Sequence, residues 1–592
     1  MRKKTFLLAA VNAKYIHSNP AVLSLKAYAE MRRAEGRAPS GCFSVETAEY
    51  TINHEPDRIL QDLYRRKPAV IGFSCYLWNI GTVLSLVRDL AVLLPGLPVW
   101  LGGPEVSYDA GELLAAEPAI TGIMTGEGEE TFSELLSYYE SGESLPLQQI
   151  PGLTYREKTG EGDRIRVTAP RQPLSMDELP FLYQDLTPFA NRILYYESSR
   201  GCPYSCSYCL SSVEKQVRFR SLSLVLPELQ HFLDKRVPQV KFVDRTFNCS
   251  RKHALAIWQY LLEHDNGITN FHFEITGDLL CEEDFAVLSR MRPGLIQLEI
   301  GVQTANPQTT AEIRRDVDLK KLSDTVARIR SFRNIHQHLD LIAGLPCEDY
   351  DSFLHSYDVV YRMRPDQLQL GFLKVLKGSR MAEMAAAYQL RYHRSAPYEV
   401  LSTAWLSYDE VLQLKLLEEM NEVYYNSGQF TETLSGMEAF WTSPCAMFLE
   451  LGSYYVRHQL TGLSHSRLAR YEILHAHLTE HFGGRCPETL TDCLMTDLCL
   501  REPVKSRPSF APDPSSWKEA VKAYHIEEKA HPQDLYGYEA YDSRQTANMT
   551  HIERLSDGRF LLFDYLRRDP FHHNARKLDI TGRIRALLPD LP

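Results

Sequence analysis

Short runs of β-prone apolar residues alternate with segments of helical periodicity through the middle of this sequence. The strand-like runs cover 192–199, 239–245, 270–276, 295–304, 338–346 and 367–376. Amphipathic segments such as "SLVLPELQHFLDKR" and "KKLSDTVARIRSF" lie between them. Because parallel strands need a crossover connection, usually a helix, this rhythm predicts a sheet of six parallel strands. A chain of 592 residues exceeds one hydrophobic core, so we expect two to four domains in all.

The first 140 residues repeat the rhythm and predict a doubly wound parallel sheet. Their strand candidates are "KKTFLLAAV", "AVIGFSCYL", "VWLGG" and "AITGIMTG". The loops that follow these strands, at 12–21, 74–79, 102–107 and 126–131, contain glycines and small polar residues. Because glycine lacks a Cβ, such loops at the carboxyl edge of a sheet favour the close approach of a cofactor to the backbone. A flavodoxin-like domain with ordinary turns would produce the same pattern.

The N-terminus admits two interpretations. The basic start and apolar run of "MRKKTFLLAAVNAKYIH" suggest a signal peptide, but the apolar run has only about seven residues, the minimum for that purpose. The run also fits a buried parallel strand, which we favour. No apolar stretch approaches the ~20 residues needed to cross a bilayer. A cytoplasmic location follows, and it agrees with scattered cysteines kept as free thiols.

Three of the 12 cysteines lie within eight positions of the chain. Cys202, Cys206 and Cys209 have the spacing C-x3-C-x2-C. A disulfide framework is unsuited to a large, apparently cytosolic chain. Structural zinc needs four ligands, usually in two pairs, and the available His231 and Cys249 lack a characteristic spacing. Three thiolates suit a [4Fe–4S] cluster that leaves one iron open for a small molecule.

The cysteine spacing, with the aromatic Tyr208 just before the third cysteine, resembles the signature of the radical S-adenosylmethionine (SAM) superfamily. The resemblance implies a partial (β/α)6 barrel whose cluster loop follows the first strand. Barrels of this kind build their sites at the carboxyl ends of the strands. The polar residues at those ends are Asp244, Arg245, Glu274, Glu299, Gln303 and Asp340. Each of them has an alternative explanation as a helix cap or a loop contact.

Three segments resemble SAM-binding motifs of that superfamily. "VDRTF" occupies the place of the motif that holds the SAM amino group, although it departs from the usual Gly-Gly-Glu. "EIGVQT" resembles the segment whose Glu and Gln reach the ribose or the methionyl part. "LIAGLP" resembles the glycine-containing segment that lets the backbone approach adenine. The resemblance therefore implies a SAM site formed by Tyr208, Asp244, Glu274, Glu299, Gln303 and Gly344.

The order of motifs over residues 1–385 is similar to that of the cobalamin-binding, class B, radical SAM enzymes: a sheet domain, "GGPEVS", "GEGEETF", "IPGLTYR", "MDELPF" and then the cysteine loop. The resemblance implies a cobalamin whose nucleotide tail lies along the edge of the first sheet. Its lining would be Asn12, Lys14, Tyr15, Ser74, Tyr76, Gly102, Gly103, Gly126, Glu127 and Gly128. The alternative is a sheet domain that has lost the corrinoid and only shapes the cavity.

The D-x-H-x-x-G motif that supplies a histidine to cobalt in other cobalamin enzymes is absent from the sequence. Class B proteins often lack it too. The resemblance then implies that the lower face of cobalt is open, or weakly covered by the loop that holds Tyr76, Leu77 and Trp78.

We divide the sequence into a cobalamin-binding domain at 1–144, a connector strap at 145–190, the radical SAM barrel at 191–385 and a mainly helical domain at 386–592. The connector predicts two strands around a glycine-rich turn and then a proline-rich, extended segment.

The last domain contains amphipathic helical patterns and resembles the helical extension of a class B subgroup, whose role is uncharacterised. Its Cys486, Cys493 and Cys499 are interpreted as buried free thiols. The basic and aromatic tail, "DGRFLLFDYLRRDPFHHNARKLDI", is interpreted as a solvated helix end, with contact to a phosphate-bearing substrate as the alternative.

The resemblance implies a radical SAM enzyme that generates a 5′-deoxyadenosyl radical, and most specifically a cobalamin-dependent methyltransferase acting at an unactivated carbon. Two alternatives stay open: cyclisation or rearrangement with the same cofactors, and an iron–sulfur binding or maturation protein. An electron donor such as flavodoxin or ferredoxin would be a partner. The net charge of −11 argues against a protein that wraps nucleic acid over its whole surface, but it leaves a local contact open. The sequence does not specify the substrate.

Overall fold

The computed structural model describes residues 3–39, 41–160, 162–504 and 506–588. The first part of the chain forms one sheet and five helices. Its strands are β1 Lys4–Asn12, β2 Phe43–Thr51, β3 Val70–Ser74, β4 Val99–Gly102, β5 Gly122–Met124, β6 Leu153–Thr159 and β7 Gly162–Val167. Its helices are α1 Pro20–Ala34, α2 Pro56–Arg66, α3 Ile80–Leu93, α4 Ala110–Ala116 and α5 Glu129–Glu140.

This first sheet has the order β2-β1-β3-β4-β5-β6-β7. The five strands from β2 to β5 pair in parallel, whereas β6 and β7 add an antiparallel hairpin at one edge. Strand β3 is buried along its whole length, because helices cover both faces of the sheet. The doubly wound sheet, the buried strand near the N-terminus and the hairpin in the connector are thus confirmed.

Strand β2 was not among the predicted strands. Its sequence, "FSVETAEYT", alternates apolar and polar residues, and its burial alternates in the same way. It lies at the edge of the sheet, where one face is partly solvated. The predicted strands of this domain were continuous apolar runs, which mark strands buried on both faces. Strand β2 has no such run and was therefore not predicted.

The second part of the chain forms a curved parallel sheet surrounded by helices. Its strands are β8 Leu194–Tyr196, β9 Ser199–Arg200, β10 Arg218–Phe219, β11 Gln239–Phe242, β12 Asn270–Ile275, β13 Ile296–Gln303, β14 His336–Ala343 and β15 Gln367–Phe372. Its helices are α6 Leu222–Asp234, α7 Arg251–Glu263, α8 Glu282–Leu288, α9 Pro307–Glu312, α10 Leu319–Phe332 and α11 Tyr350–Arg362.

Six of these strands pair in parallel in the order β15-β14-β13-β12-β11-β8, which confirms the six-stranded βα prediction. Apolar side chains of the strands and helices form the core on the outer face of the sheet. The other two strands, β9 and β10, pair with each other in an antiparallel ribbon. This ribbon joins the two ends of the loop that carries the three close cysteines.

The third part of the chain is mainly helical. Its helices are α12 Arg380–Glu383, α13 Tyr408–Met420, α14 Thr431–Met437, α15 Pro444–Arg457, α16 Arg467–His481, α17 Glu488–Arg501, α18 Lys518–Ala530, α19 Ser543–Asn548 and α20 Thr581–Leu587. Its strands are β16 Arg391–Tyr392, β17 Val400–Ser402, β18 Thr550–Arg554, β19 Phe560–Arg568 and β20 Ala575–Asp579. Helix α13 begins at a capping box formed by Ser407 and Glu410 and continues as a π-helical turn over Asn421–Asn426.

The interpretation of the tail as a solvated helix end is wrong. Strands β18, β19 and β20 form an antiparallel sheet there. Phe560 and Leu562 of β19 pack into one apolar core, and Leu561 and Phe563 pack into another on the opposite face. A strand buried on both faces has no period of two, so its sequence cannot be told from a helical one by periodicity.

Cys486, Cys493 and Cys499 do not form a common site in the described residues. Cys486 and Cys499 are buried and Cys493 is half-buried, and all are free thiols. Cys499 belongs to a compact group with His551 and Glu553. However, Arg507 donates hydrogen bonds of 2.6 and 2.9 Å to the two oxygens of Glu553, so this group is an ion-pair network.

No helix among the described residues combines the length and apolar character needed to cross a membrane.

Candidate functional site

A cavity of about 690 Å³ lies between the carboxyl edge of the first sheet and the mouth of the second. Both sheets present the carboxyl ends of parallel strands to it, which is the edge where α/β proteins bind ligands. The wall formed by the second domain includes Glu197, Arg200, Gly201, Leu210, Ser211, Val213, Glu214, Val243 and Arg245. The volume lies within the range of small-molecule and cofactor sites.

Seven of the ten residues predicted to line a corrinoid lie on this cavity. They are Ser74, Tyr76, Gly102, Gly103, Gly126, Glu127 and Gly128. The other three lie outside its lining. Asn12 is buried and donates a 2.8 Å hydrogen bond to Glu49 Oε2, while Tyr15 is exposed and lies beside the guanidinium of Arg192. Lys14 belongs to the same loop, which connects β1 and α1.

The glycines on this wall serve two different purposes. Gly103 has φ +114°, and a Cβ there would lie 2.5 Å from the carbonyl oxygen of Cys75. Gly126 has φ +79°, and a Cβ there would meet no atom within 4 Å, because the residue faces open space. Gly103 is therefore required by the neighbouring loop of the protein, whereas Gly126 leaves free the space that a ligand can occupy.

Tyr76 carries the aromatic face of the same wall. Its ring stacks on that of Trp78 with centroids 4.4 Å apart and planes 5° from parallel. The indole Nε1 of Trp78 donates a 3.1 Å hydrogen bond to the carbonyl oxygen of Val11, which holds the pair in place. Burial, with a smaller contribution from Glu197, raises the pKa of Tyr76 to about 12. The ring therefore stays a neutral phenol at physiological pH.

The cysteine loop forms the opposite wall. Gly201 precedes Cys202 with φ +92°, and a Cβ there would lie 2.4 Å from the carbonyl oxygen of Gln216, so only glycine allows the loop to close. The backbone N–H of Cys202 donates to Glu214 O at 3.2 Å. Cys202 and Cys206 are buried, Cys209 is half-buried, and all three are free thiols. The loop thus gathers three unpaired thiols beside the cavity.

Two polar side chains approach these thiols. Thr246 Oγ1 lies 3.6 Å from Cys202 Sγ, and Arg315 Nη1 lies 3.8 Å from Cys206 Sγ. Arg315 also donates a 2.5 Å hydrogen bond to the carbonyl oxygen of Gly301 on β13. Tyr208 lies in the same surroundings, where burial raises its pKa. The sequence analysis missed Arg315, because 109 positions separate it from the cysteine that it approaches.

Ion pairs join the cysteine loop to the first domain. Arg200 Nη2 donates hydrogen bonds of 2.7 Å to Glu129 Oε1 and 2.8 Å to Glu197 Oε2. Arg218 bonds to Glu127 and to Glu214. Burial alone would raise the pKa of Glu129, but the charge and hydrogen bond of Arg200 outweigh it and lower the pKa. These arginines flank the cysteines on both sides, and each of them contacts the "GEGEE" loop.

The interior of the barrel is polar and contains a central ion-pair cluster. Lys241 Nζ and His272 Nε2 each lie 3.0 Å from Glu299 Oε2. Burial would raise the pKa of Glu299, but the hydrogen bond with His272 and the charge of Lys241 lower it to about 2. Glu299, one of the predicted SAM ligands, is therefore a permanent carboxylate held by two partners on neighbouring strands.

Two other interior carboxyl groups have raised pKa values. Burial raises the pKa of Glu274 to about 7, and its closest cationic atoms, on Lys241 and Arg245, lie 4.0 Å away. Burial also raises the pKa of Asp340, which lies 3.1 Å from His338 Nε2. Raised pKa values and incomplete pairing are common at functional sites, which marks this interior as part of the candidate site.

The remaining predicted SAM ligands differ in their surroundings. Gln303 has φ +74°, unusual for a residue with a side chain, and its buried Oε1 has no hydrogen-bond partner among the described residues. Gly344 has φ +88°. Asp244 is 1% exposed and accepts hydrogen bonds from the backbone and hydroxyl of Ser198 and from the hydroxyl of Ser199. The carboxyl group of Asp244 thus faces protein and lies outside the cavity lining.

A second contact between the domains follows β15 and was missed from the sequence. Lys377 Nζ lies 2.7 Å from Asp109 Oδ2 and 3.3 Å from Glu105 Oε1. The Tyr108 ring packs so closely on Gly378 that a Cβ there would lie 2.2 Å from a ring atom. Tyr108 also lines the cavity. This contact therefore forms part of the cavity border.

Comparison with protein families accounts for this arrangement. Residues 7–136 match a family model described as a B12 binding domain, and residues 196–360 match one described as the radical SAM superfamily. The chain is a B12-binding radical SAM protein. The two domain families bind cobalamin, and a [4Fe–4S] cluster together with SAM, respectively. Residues 386–559 match a third model, described as a protein of unknown function (DUF4080).

Curated relatives of this B12-binding radical SAM protein include methyltransferases. An "Uncharacterized methyltransferase" of Pyrococcus horikoshii is 25% identical over 59% of this chain and 74% of that protein. The "Cobalamin-dependent radical SAM methyltransferase TokK" of Streptomyces tokunonensis is 24% identical over 48% of this chain. The chain matches only 44% of the length of TokK. An anaerobic magnesium-protoporphyrin IX monomethyl ester cyclase of Rubrivivax gelatinosus is 20% identical over 52% of this chain and 57% of that enzyme.

A solved structure shares the fold. The "Cobalamin-dependent S-adenosylmethionine radical enzyme OxsB", with aqua-cobalamin bound, is 15% identical, has a TM-score of 0.57, and matches 84% of this chain and 79% of its own. This likeness covers the first sheet, the barrel and part of the helical region.

The residues of this protein fit the groups that its domain families bind. Three free thiols on one loop, with a guanidinium beside Cys206, form a donor set suited to three irons of a four-iron cluster. Gly126 leaves unfilled space on the opposite wall, as a corrinoid approaching the backbone requires.

Proposed function

We propose that this protein is a cobalamin-dependent radical SAM methyltransferase that acts at an unactivated carbon. The observation that carries the proposal is one cavity, which has the glycine loops of a B12-binding domain on one wall and the loop that carries three free thiols on the other. A substrate in this space would lie between the two cofactor sites. The relatives named as methyltransferases support this choice of reaction.

Different residues of the chain would hold the cluster, the corrinoid and SAM. Cys202, Cys206 and Cys209 would hold the cluster, and Gly126, Glu127 and Gly128 would border the corrinoid. The SAM site would include Tyr208, Gln303 and Gly344, with Arg315 added and Glu299 acting from the polar interior. When bound, these cofactors supply a carbon-centred radical and a transferable methyl group.

The surrounding residues hold this site in one geometry. Burial raises the pKa of the Cys206 thiol, and the positive charge of Arg315 beside its Sγ opposes that rise. Lys241, His272 and Glu299 form a fixed polar cluster in the barrel interior, since each contact with the carboxylate oxygen is near 3.0 Å. The two interdomain contacts border the cavity, since Arg200, Glu129 and Tyr108 belong to its lining.

The proposal is tested by reconstituting the protein anaerobically with iron, sulfide, hydroxocobalamin and SAM, and then adding dithionite. We expect bound cobalamin and formation of 5′-deoxyadenosine. An extract of the cells that make this protein is then added as a source of substrate. If S-adenosylhomocysteine also forms, and only when the extract is present, the result would support methyl transfer. Absence of SAM cleavage under every reducing condition would favour the binding or maturation role and defeat the proposal.

A second candidate reaction is a cyclisation or rearrangement with the same cofactors. The matches to anaerobic cyclases favour it, because they cover a share of the chain similar to that of TokK. This reaction would release 5′-deoxyadenosine without S-adenosylhomocysteine. The product ratio therefore separates the two candidates.

We also propose a cytoplasmic location and a flavodoxin- or ferredoxin-like electron donor. All 12 cysteines are free thiols, which agrees with a reducing compartment. Replacing dithionite by a reduced flavodoxin in the same assay tests the donor.

A further inference from the structure

Arg245 enters the cavity from the turn that follows β11. Val243 and Arg245 both line the cavity, and Asp244 between them points away from it. The carboxyl group of Asp244 is fixed by hydrogen bonds of 2.7 and 3.0 Å from Ser198. This anchor orients the whole segment and directs Arg245 toward the open space.

Arg245 differs from three other arginines of the second domain. Arg200, Arg218 and Arg220 each donate hydrogen bonds to at least one carboxylate. The Arg245 guanidinium makes no hydrogen bond with any described residue. Its closest carboxylate oxygen, Glu274 Oε2, lies 4.0 Å away, and its side chain is 57% exposed where it lines the cavity. The charge of Arg245 is therefore available to a ligand.

The neighbouring acids leave most of this charge uncancelled. Glu197, the other acid on this part of the wall, is engaged by Arg200 at 2.8 Å. Burial raises the pKa of Glu274 to about 7, so a large fraction of it is neutral at physiological pH. A guanidinium in such surroundings is suited to bind a planar or tetrahedral oxyanion through two parallel N–H donors.

We propose that Arg245 binds an anionic oxygen group of the substrate, a carboxylate or a phosphate, and so orients the substrate in the cavity between the two cofactor sites. This inference rests on the proposed function, because it assigns the cavity to a substrate. It makes Arg245 a specificity-determining residue.

The test uses the reconstituted protein with cobalamin and saturating SAM bound, so that the SAM carboxylate site is already filled. Inorganic phosphate and acetate are titrated separately by calorimetry at constant ionic strength, in the wild type and in the Arg245→Met and Arg245→Lys variants. Arg485→Met serves as the control, because Arg485 is 81% exposed and lies on a different domain. The anion that binds indicates whether the substrate group is a phosphate or a carboxylate.

We expect the wild type to saturate with one of the two anions in the millimolar range. Arg245→Met should weaken that binding by roughly tenfold or more, Arg245→Lys by less, and Arg485→Met not at all. Unchanged binding in Arg245→Met, or no saturation of the wild type by either anion below roughly 50 mM, would overturn the proposal.

The affinity for SAM, measured on the same reconstituted proteins before SAM is added, provides a second test. We expect Arg245→Met to bind SAM as the wild type does. A tenfold loss of SAM affinity would show that Arg245 serves the SAM carboxylate, and the inference would be wrong. Neither readout depends on turnover, so failure of the proposed methyl transfer is distinguished from failure of this assignment.

Discussion

Arg200 Nη2 lies 2.7 Å from Glu129 Oε1, which bonds the residue two positions before Cys202 to the loop that borders the cavity in the first domain. Glu129 is buried, and its same oxygen accepts a 2.8 Å hydrogen bond from Ser24 Oγ. A buried ion pair of this kind contributes little net stability, but removing one partner leaves a buried charge unpaired. The pair therefore sets the distance between the cysteine loop and the first sheet.

Arg200→Met should destabilise the protein by about 3 kcal/mol, because the Glu129 carboxylate loses its cationic partner. The midpoint of chemical unfolding of the apo protein measures this loss. The double variant Arg200→Met with Glu129→Gln should recover part of it, since no buried charge then remains. Strictly additive losses in the two single variants and the double variant would contradict the coupling.

Gly126→Asn should lower the affinity for cobalamin by roughly tenfold or more, while leaving iron content and the unfolding midpoint nearly unchanged. The side chain would enter space that contains no protein atom within 4 Å of the new Cβ, and asparagine tolerates a positive φ better than other residues. Equilibrium dialysis with hydroxocobalamin and iron analysis measure the two quantities.

Gly103→Ala is the matched comparison for that variant. Its Cβ would lie 2.5 Å from Cys75 O, so we expect a lower unfolding midpoint together with the loss of cobalamin. If Gly103→Ala were as stable as the wild type, the division of these glycines into a structural and a ligand-facing one would be incorrect.

The triple variant Cys202→Ala, Cys206→Ala, Cys209→Ala should be colourless after anaerobic reconstitution, whereas the wild type should be brown with about four irons per chain. Cobalamin binding should persist in the triple variant, because the glycine loops belong to the other domain. Iron analysis and the visible spectrum provide the readout. A full cluster in the triple variant would transfer the assignment to other thiols, with Cys486, Cys493 and Cys499 as the first to examine.

The stability of the apo protein should depend on Glu274 in a defined pH window. Burial raises the pKa of this carboxyl group in the folded state from 4.5 to about 7, so the folded protein holds a proton that the unfolded chain releases. Stability from this group is present below pH 4.5 and is lost as the pH rises to about 7. Glu274→Gln removes the titration, so the variant should become more stable relative to the wild type as the pH rises through that window.

The gain should reach about 2 kcal/mol at pH 8, an amount already reduced for the partial exposure of the side chain. Unfolding midpoints of the two proteins at pH 5 and pH 8 measure it. An equal difference at both pH values would mean that Glu274 titrates normally.

Local sequence patterns predicted much of the fold. The six strands of the barrel were predicted because each is a short β-prone run between segments of helical periodicity. The cysteine loop was predicted because its three ligands lie within eight positions, so one local pattern holds the whole donor set. The edge strand β2 was missed because its apolar and polar residues alternate. Strand β19 was missed because a strand buried on both faces cannot be told from a helix by periodicity.

The sequence by itself determined the domain types, the three thiols and most of the glycine wall, because each is specified by residues close together in the chain. Only the tertiary structure decided which side chains face the cavity. In the folded chain the Asp244 side chain points into the protein, whereas Arg245 lines the cavity. Arg315 lies beside Cys206, from which 109 positions separate it, and Arg200 bonds to Glu129. These contacts depend on the direction in which each side chain leaves the backbone and on the packing of separate domains, neither of which a local pattern contains.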